Sequence, residues 1–257
     1  MLITTRLILG VAIIAAFAPP ADAQMLRWED RGYFTFSLGI QPQSREFTET
    51  STPAIYLENA SITVPHSVSR GVFYDVSAGV RVWQNLAVGL GFSHFSDTEA
   101  PTLTAQIPNP LLFAQPRPAS QSTGELNRSE SVTHVQLMWV LPVSNKIELA
   151  AFGGPSFFKV RQGFATLSDS DIVEGPFPFA TVTISKVTTA SARENTTGFN
   201  LGVDGTYLVL TRGNIKWGAG GFVRFSGAST DFSAPGGGTL KLDAGGLQIG
   251  AGTRVRF

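Results

Sequence analysis

The 257-residue chain sets 19 Lys plus Arg against 19 Asp plus Glu, and a formal net charge of +0 gives no electrostatic excess to draw in nucleic acid. With 0 cysteines it has no disulfide staple, thiolate nucleophile, cysteine-ligated zinc or lipid-modified N-terminal cysteine. Charged residues make up 15% beside 27 glycines and 19 phenylalanines. Ordinary soluble domains are about a quarter charged, so part of this surface is expected to be covered by something other than water.

The N-terminus reads as an export address. Arg6 supplies the positive charge, an apolar core runs to Ala18, and Ala21-Asp22-Ala23 fits the small-x-small cleavage rule before Gln24. The apolar run stops at Pro19-Pro20, short of the ~20 residues a spanning helix needs. Residues 1–23 are therefore expected to be a cleaved signal peptide, and residues 24–257 the mature domain.

Beyond Gln24 no apolar run is long enough for a spanning helix, and the longest, 137–143, is interrupted by Pro142. Alternation of period two takes its place, in segments of roughly ten residues, the length a tilted strand needs to cross a bilayer. In 32–41, Phe34, Phe36, Leu38 and Ile40 alternate with Tyr33, Thr35, Ser37 and Gly39. In 72–82, Tyr74, Val76, Ala78, Val80 and Val82 oppose Asp75, Ser77, Gly79 and Arg81. Segment 86–96 follows through Leu86, Val88, Leu90 and Phe92, and 132–141 through Val135, Leu137, Trp139 and Leu141. In 147–158, Ile147, Leu149 and Ala151 face away from Glu148, Ala150 and Phe152. Segment 198–210 sets Phe199, Leu201, Val203 and Tyr207 against Asn200, Asp204 and Thr206. Segment 215–225 sets Trp217, Val223 and Phe225 against Lys216, Phe222 and Arg224, and 247–257 closes the series through Ile249, Ala251, Val255 and Phe257.

Connections at 83–85, 142–146 and 211–214 are short, and they alternate with long ones at 42–71, 97–131, 159–197 and 226–244. That pattern predicts an all-β fold: a transmembrane antiparallel up-and-down β-barrel of about eight strands, with short periplasmic turns and long extracellular loops. Within the third loop Val182, Ile184 and Val187 suggest that the flanking strands continue above the membrane as a hairpin. A soluble sandwich also alternates, but the face opposite the apolar one is here Gly, Ala, Ser and isolated charges, the composition of a narrow lumen. Tyr74, Phe92, Trp139, Tyr207, Trp217 and Phe225 lie near strand ends, as interfacial girdles do.

The last residues, Gly252-Thr253-Arg254-Val255-Arg256-Phe257, resemble the terminal assembly signal of outer-membrane barrels, with Gly252, Val255 and Phe257 at its characteristic positions. Leu141-Pro142-Val143, Gly153-Gly154-Pro155-Ser156, Gly202-Val203-Asp204 and Gly221-Phe222-Val223-Arg224-Phe225 make the mature chain similar to small outer-membrane barrels of the OmpA/OmpX/OmpW type, a porin-like family. The resemblance implies location in the cell outer membrane of a Gram-negative envelope, contact with outer-membrane lipid, and handling by the outer-membrane insertion machinery. It carries no catalytic residue and no cofactor, because such families share a fold rather than a chemistry.

The chemistry-bearing residues converge on the interior. Asp75, Asp204 and Arg224 are expected in the middle to outer part of the lumen, and Arg81, Glu148, Arg254 and Arg256 near the periplasmic end, with both signs at each level. An interior of about eight strands is just wide enough for side chains to fill, so an internal ion-pair plug is preferred to a selective constriction. His66, His94 and His134 map to the outer rim or a loop. His94-Phe95-Ser96-Asp97 is similar to the His-x-Ser arrangement of lipid-deacylating barrels, yet no complete base, nucleophile and orienting group can be assembled. The chain is thus read as non-enzymatic, without cofactor or metal. In the 100–120 loop, prolines surround Leu111-Leu112-Phe113, which either recognises an extracellular ligand or folds over the barrel mouth. The expected role is structural or interactive, through membrane integrity and loop display. The alternatives are a passive channel for small or apolar solutes and, behind it, a lipid-modifying enzyme.

Overall fold

The computed structural model describes residues 27–233 and 239–257, so the signal-peptide reading of 1–23 falls outside the described residues. In chain order the strands are β1 (Gly32–Gln41), β2 (Arg45–Ser51), β3 (Ala54–Ile55), β4 (Glu58–Asn59), β5 (Ser61–Val68), β6 (Gly71–Trp83), β7 (Leu86–Glu99) and β8 (Thr102–Ile107). They continue as β9 (Arg117–Ser122), β10 (Leu126–Pro142), β11 (Ile147–Thr166), β12 (Ile172–Glu174), β13 (Val182–Ile184), β14 (Thr188–Arg212), β15 (Ile215–Ser233) and β16 (Thr239–Arg256).

Strands β1, β6, β7, β10, β11, β14, β15 and β16 close into one antiparallel up-and-down barrel, with β1 paired to β16 at the seam. The last residue completes that seam: Arg31 and Gly32 donate their backbone N–H groups to the Phe257 carbonyl at 2.6 and 2.9 Å. The start of β1, the end of β16 and the turns at 84–85, 143–146 and 213–214 lie at one end of the barrel, and the long connections rise from the other. Outward positions form an apolar belt on which Leu137 is 52% and Leu201 65% exposed.

All eight expected strands are present, but several are longer than their hydrophobic pattern. Strand β10 begins at Leu126 rather than 132, β11 runs on to Thr166, and β14 begins at Thr188 rather than 198; β11 and β14 stay paired up to Thr166↔Thr188. Backbone pairing outlasts the pattern because outward positions above Phe157 turn polar, through Lys159, Arg161, Arg193 and Ser191. Hydrogen bonds continue the ladder where no hydrocarbon contrast marks it.

The connections expected as long loops are themselves folded, which corrects that expectation. Strands β2, β5, β8 and β9 form a four-stranded sheet, with small hairpins β3–β4 and β12–β13 beside it. Its core contains Ile55, Ile62, Val64, Leu103 and Ile107, joined by Val182 and Ile184 from the third connection and by Leu126 and Ala165 from the barrel. Apolar alternation such as Ile62–Val64 could be buried because three connections meet over one mouth. The hairpin expected from continuation of the strands flanking the third connection is the extension of β11 and β14 up to Thr166↔Thr188, whereas Val182 and Ile184 lie on the separate β12–β13 pair, with register Val173↔Thr183.

Candidate functional site

The interior of the barrel is a column of ion pairs built on inward positions of β6, β11, β14, β15 and β16. Nearest the short-turn end, Arg256 donates from Nε to Glu148 at 2.9 Å and from Nη2 to Thr206 Oγ1 at 3.2 Å. Arg254 comes next, with Nη2 2.6 Å and Nε 3.1 Å from Asp204 Oδ2, and Nη1 2.8 Å from Ser37 Oγ. Higher still, Arg224 Nη1 meets Asp75 Oδ2 at 2.7 Å while its Nε donates to Gln248 at 2.8 Å. All six charged side chains are at most 10% exposed. Isolated charges are costly in such surroundings, and each is met by a partner of opposite sign.

Local sequence explains how these long side chains fit. Arg254 lies across glycines: Gly252 and Gly220 face each other, and a Cβ on Gly252 would stand 1.9 Å from the Phe36 carbonyl oxygen. Aromatic rings fill what the charges leave. Phe222 makes edge contacts with Phe73 and Phe152, Arg224 covers Phe222 at 5.1 Å, and Arg256 covers Tyr33 at 5.6 Å. Among these groups a void of about 20 Å³ remains, room for about one water.

The expected tiers are partly rearranged. Arg254 pairs upward with Asp204 rather than with Glu148, because Glu148 is taken by Arg256. Arg81 stands apart from the column at the short-turn rim, where its guanidinium donates to the Trp28 carbonyl. Gly252, Val255 and Phe257 all lie on the closing strand and its end, with Val255 opposite both Phe34 and Trp217.

No family model and no curated protein matches this chain. Among solved structures it is similar to the outer-membrane protein OprG from Pseudomonas aeruginosa, at 10% identity over 89% of this chain and 97% of that one, with a TM-score of 0.43. It is likewise similar to the outer-membrane protease OmpT from Escherichia coli, at 10% identity over 91% and 99%, TM-score 0.41. Neisserial surface protein A matches at 11% identity over 88% and 96%, TM-score 0.37. The chain is a closed eight-stranded up-and-down β-barrel.

The three histidines go to three different surroundings. His134 is buried in the upper lumen between Ser93 Oγ at 3.0 Å and Ser156 Oγ at 2.8 Å, with Asn200 donating to the same Ser156 at 2.9 Å. His94 points outward, 2.9 Å from Ser131 Oγ, and lies against Tyr74. Its expected neighbours do not join it: Asp97 accepts instead from the backbone N–H groups of Ser69 and Thr98. His66 is sealed inside the upper sheet, where it touches Glu99 at 2.6 Å and Glu49 at 3.1 Å and stacks on Phe47 at 4.5 Å. Burial opposes its charge, but the hydrogen bonds that the two carboxylates accept, with their negative charge, outweigh that and raise its pKa above the ordinary histidine value.

Sequence reasoning missed two clusters. At the mouth, Arg128 and Arg45 share Glu130, at 2.7 and 3.1 Å. Carrying the inward parity of Gln136 and Met138 down through residues 130 and 128 would have found two of these three. Near the top of the sheet, Arg117 grips Glu174 with both terminal nitrogens, one at 2.8 Å, while Tyr56 donates to the same carboxylate at 2.6 Å. The Arg117 hydrogen bond holds Glu174 below the usual carboxylate range, and burial together with Glu174 pushes the Tyr56 phenol up to about 12. The tip Leu111-Leu112-Phe113 does not fold over the mouth; Phe113 is 72% exposed, and Asn109 Oδ1 accepts the backbone N–H groups of Leu111 and Leu112. Among the described residues no cluster of three or more His, Asp or Glu is arranged to hold a metal ion.

Proposed function

We propose that this protein is a non-conducting barrel of the cell outer membrane that displays a rigid β-sheet at the cell surface, a structural and surface-interaction role without catalysis. One observation carries the reading: the column Arg256–Glu148, Arg254–Asp204 and Arg224–Asp75 crosses the lumen and leaves a void of only about 20 Å³ between its charged groups. A hydrated ion or small solute needs a continuous path, and side chains locked in charge-assisted pairs do not yield one without breaking those pairs. The apolar belt supports the membrane location, since exposed apolar surface of that extent on a closed barrel calls for hydrocarbon as its solvent. The folded connections support display, because a sheet with its own core presents fixed side chains where a disordered loop would pay ordering entropy on binding. The engagement of His94 by Ser131, with Asp97 turned to backbone groups, supports a non-enzymatic role.

Planar-bilayer recording on the purified, detergent-folded chain tests the reading. The expected trace stays at baseline over a range of voltages. Stable ohmic steps would overturn the closed-lumen reading in favour of a passive channel.

A further inference from the structure

On the outer wall where β11 pairs with β14, the character of the surface changes within one step. Reading upward, the cross-strand pairs of outward residues are Ala151↔Val203, Gly153↔Leu201, Pro155↔Phe199 and Phe157↔Thr197, then Lys159↔Asn195 and Arg161↔Arg193. Hydrocarbon contacts end at Phe157 and Phe199, each about half exposed, and three cations follow at once. Two residues of strand advance about 7 Å, or roughly 5 Å in height at the usual barrel tilt. Lys159 therefore stands about 5 Å above the last apolar ring, within a headgroup layer that is itself about 5–8 Å deep, and Arg161 and Arg193, about 10 Å above that ring, stand at the outer edge of the layer within reach of their long side chains.

Arg161 and Arg193 sit directly opposite each other, an arrangement that costs stability unless something negative lies between. Among the described residues no carboxylate does so. Neither arginine nor Lys159 makes an ion pair, and the one hydrogen bond found, from Arg161 Nη2 to Ser191 Oγ at 3.1 Å, is to a neutral group. On the other flank, β10 sets Ser129 opposite Arg161 and Ser131 opposite Lys159. The outward acid of β15, Asp231, faces Lys241 of β16. Beside the cations is a hollow of about 360 Å³ of mixed character, which Arg161 lines together with Asn127, Ser129 and Ser191, with Leu126 and Ala190, and with Glu125 and Gly163. Gly163 contributes no side chain to fill it.

We infer that Lys159, Arg161 and Arg193 form a binding site for a lipid-borne phosphate in the outer headgroup layer. Two guanidinium forks match phosphate oxygens in pairs, the ammonium adds a point charge nearer the hydrocarbon, and serine and asparagine groups complete the shell. Apolar residues directly beneath receive the acyl chains of the same molecule, so headgroup and tail are held on one vertical line of the wall. The inference rests on the membrane reading proposed above.

The test uses the full mature chain folded in zwitterionic detergent, with native mass spectrometry counting bound ligand. Three probes separate the sources: phosphatidic acid, the phosphate-free diacylglycerol with the same chains, and inorganic phosphate. Wild-type protein is expected to retain phosphatidic acid, and R161Q/R193Q to bind it at least about tenfold more weakly, with K241Q unchanged and diacylglycerol binding alike in all three. Phosphatidic acid binding that survives R161Q/R193Q would overturn the site, and so would inorganic phosphate binding as tightly as the lipid. Both substituted arginines project outward, and heat-modifiable gel mobility confirms that the variant is folded. Insertion into lipid vesicles is scored separately: a chain that does not insert refutes the membrane reading, whereas an inserted chain with arginine-independent binding refutes this site alone.

Discussion

Leu137 and Leu201 on the barrel, and Ile62 and Leu103 in the sheet above it, all sit on alternating strands, yet the first pair is more than half exposed and the second at most 1%. The barrel turns its apolar face out and packs its inside with Arg224–Asp75, Arg254–Asp204 and Arg256–Glu148. The sheet turns its apolar face in, onto Val182 and Ile184 from another connection and Ala165 from the barrel. The same period-two signal therefore serves two solvents. Where a second protein layer arrives the aliphatic face becomes a core; where none does, hydrocarbon must cover it, and polarity is left for the enclosed side.

The sharpest way to break this contrast is to remove one charge from inside the barrel. Arg224→Met leaves Asp75 without its partner in an enclosed site, and a cost of about 3–5 kcal/mol is expected. The denaturant midpoint of the whole barrel should fall accordingly. An unchanged midpoint would mean that the column is solvated rather than packed. Leu103→Ala attacks the other region, with about 2–5 kcal/mol expected from the lost contacts and the cavity left behind. Here limited proteolysis should open the connections between β1 and β6 and between β7 and β10 while heat-modifiable mobility of the barrel stays as it was. Coupled loss of both would show that the sheet and barrel are one cooperative unit.

The smallest effect concerns the joint between the two regions. Beyond the end of β6, the 65–69 stretch is held to β7 by Glu99 and Asp97, which accept the backbone N–H groups of Ser67 and Ser69 at 2.6 Å, and by His66 between Glu49 and Glu99. Because the folded-state pKa of His66 is raised, its contribution is fully present below the unfolded value of about 6.5 and is lost as pH climbs through the folded value. Hydrogen-exchange protection at residues 61–69, taken relative to the intrinsic base-catalysed rate, should fall on that alkaline side in the wild type and stay level with pH in His66→Gln. The same pH profile in both proteins would remove His66 as the cause.

Alternation alone located the eight barrel strands, since each had to offer hydrocarbon an unbroken apolar face from Phe34 to Phe257. It also put Asp75, Glu148, Asp204, Arg224 and Arg254 on the inward side, because parity along a strand fixes the face. It gave no bounds for the upper parts of β10, β11 and β14, where Arg161 and Arg193 end the apolar contrast but not the hydrogen bonding; only Val182, Ile184 and Val187 hinted that the strands flanking the third connection run on. The upper sheet escaped for the opposite reason. Ile62, Val64 and Leu103 show apolar character, yet their runs are brief and lie among prolines, and what they pack against comes from other connections.

Sequence by itself thus determined that the strands alternate, how many close the ring, and which residues face in, all of which follow from the geometry of one strand and its solvent. Tertiary structure alone decided that Arg254 takes Asp204 while Arg256 takes Glu148, that a void of only about 20 Å³ is left between the paired charges, and that two connections fold into one sheet whose core a third completes. Those outcomes depend on register and on which segments meet across the mouth. No local pattern encodes that, because the partners are brought together only when the ring closes.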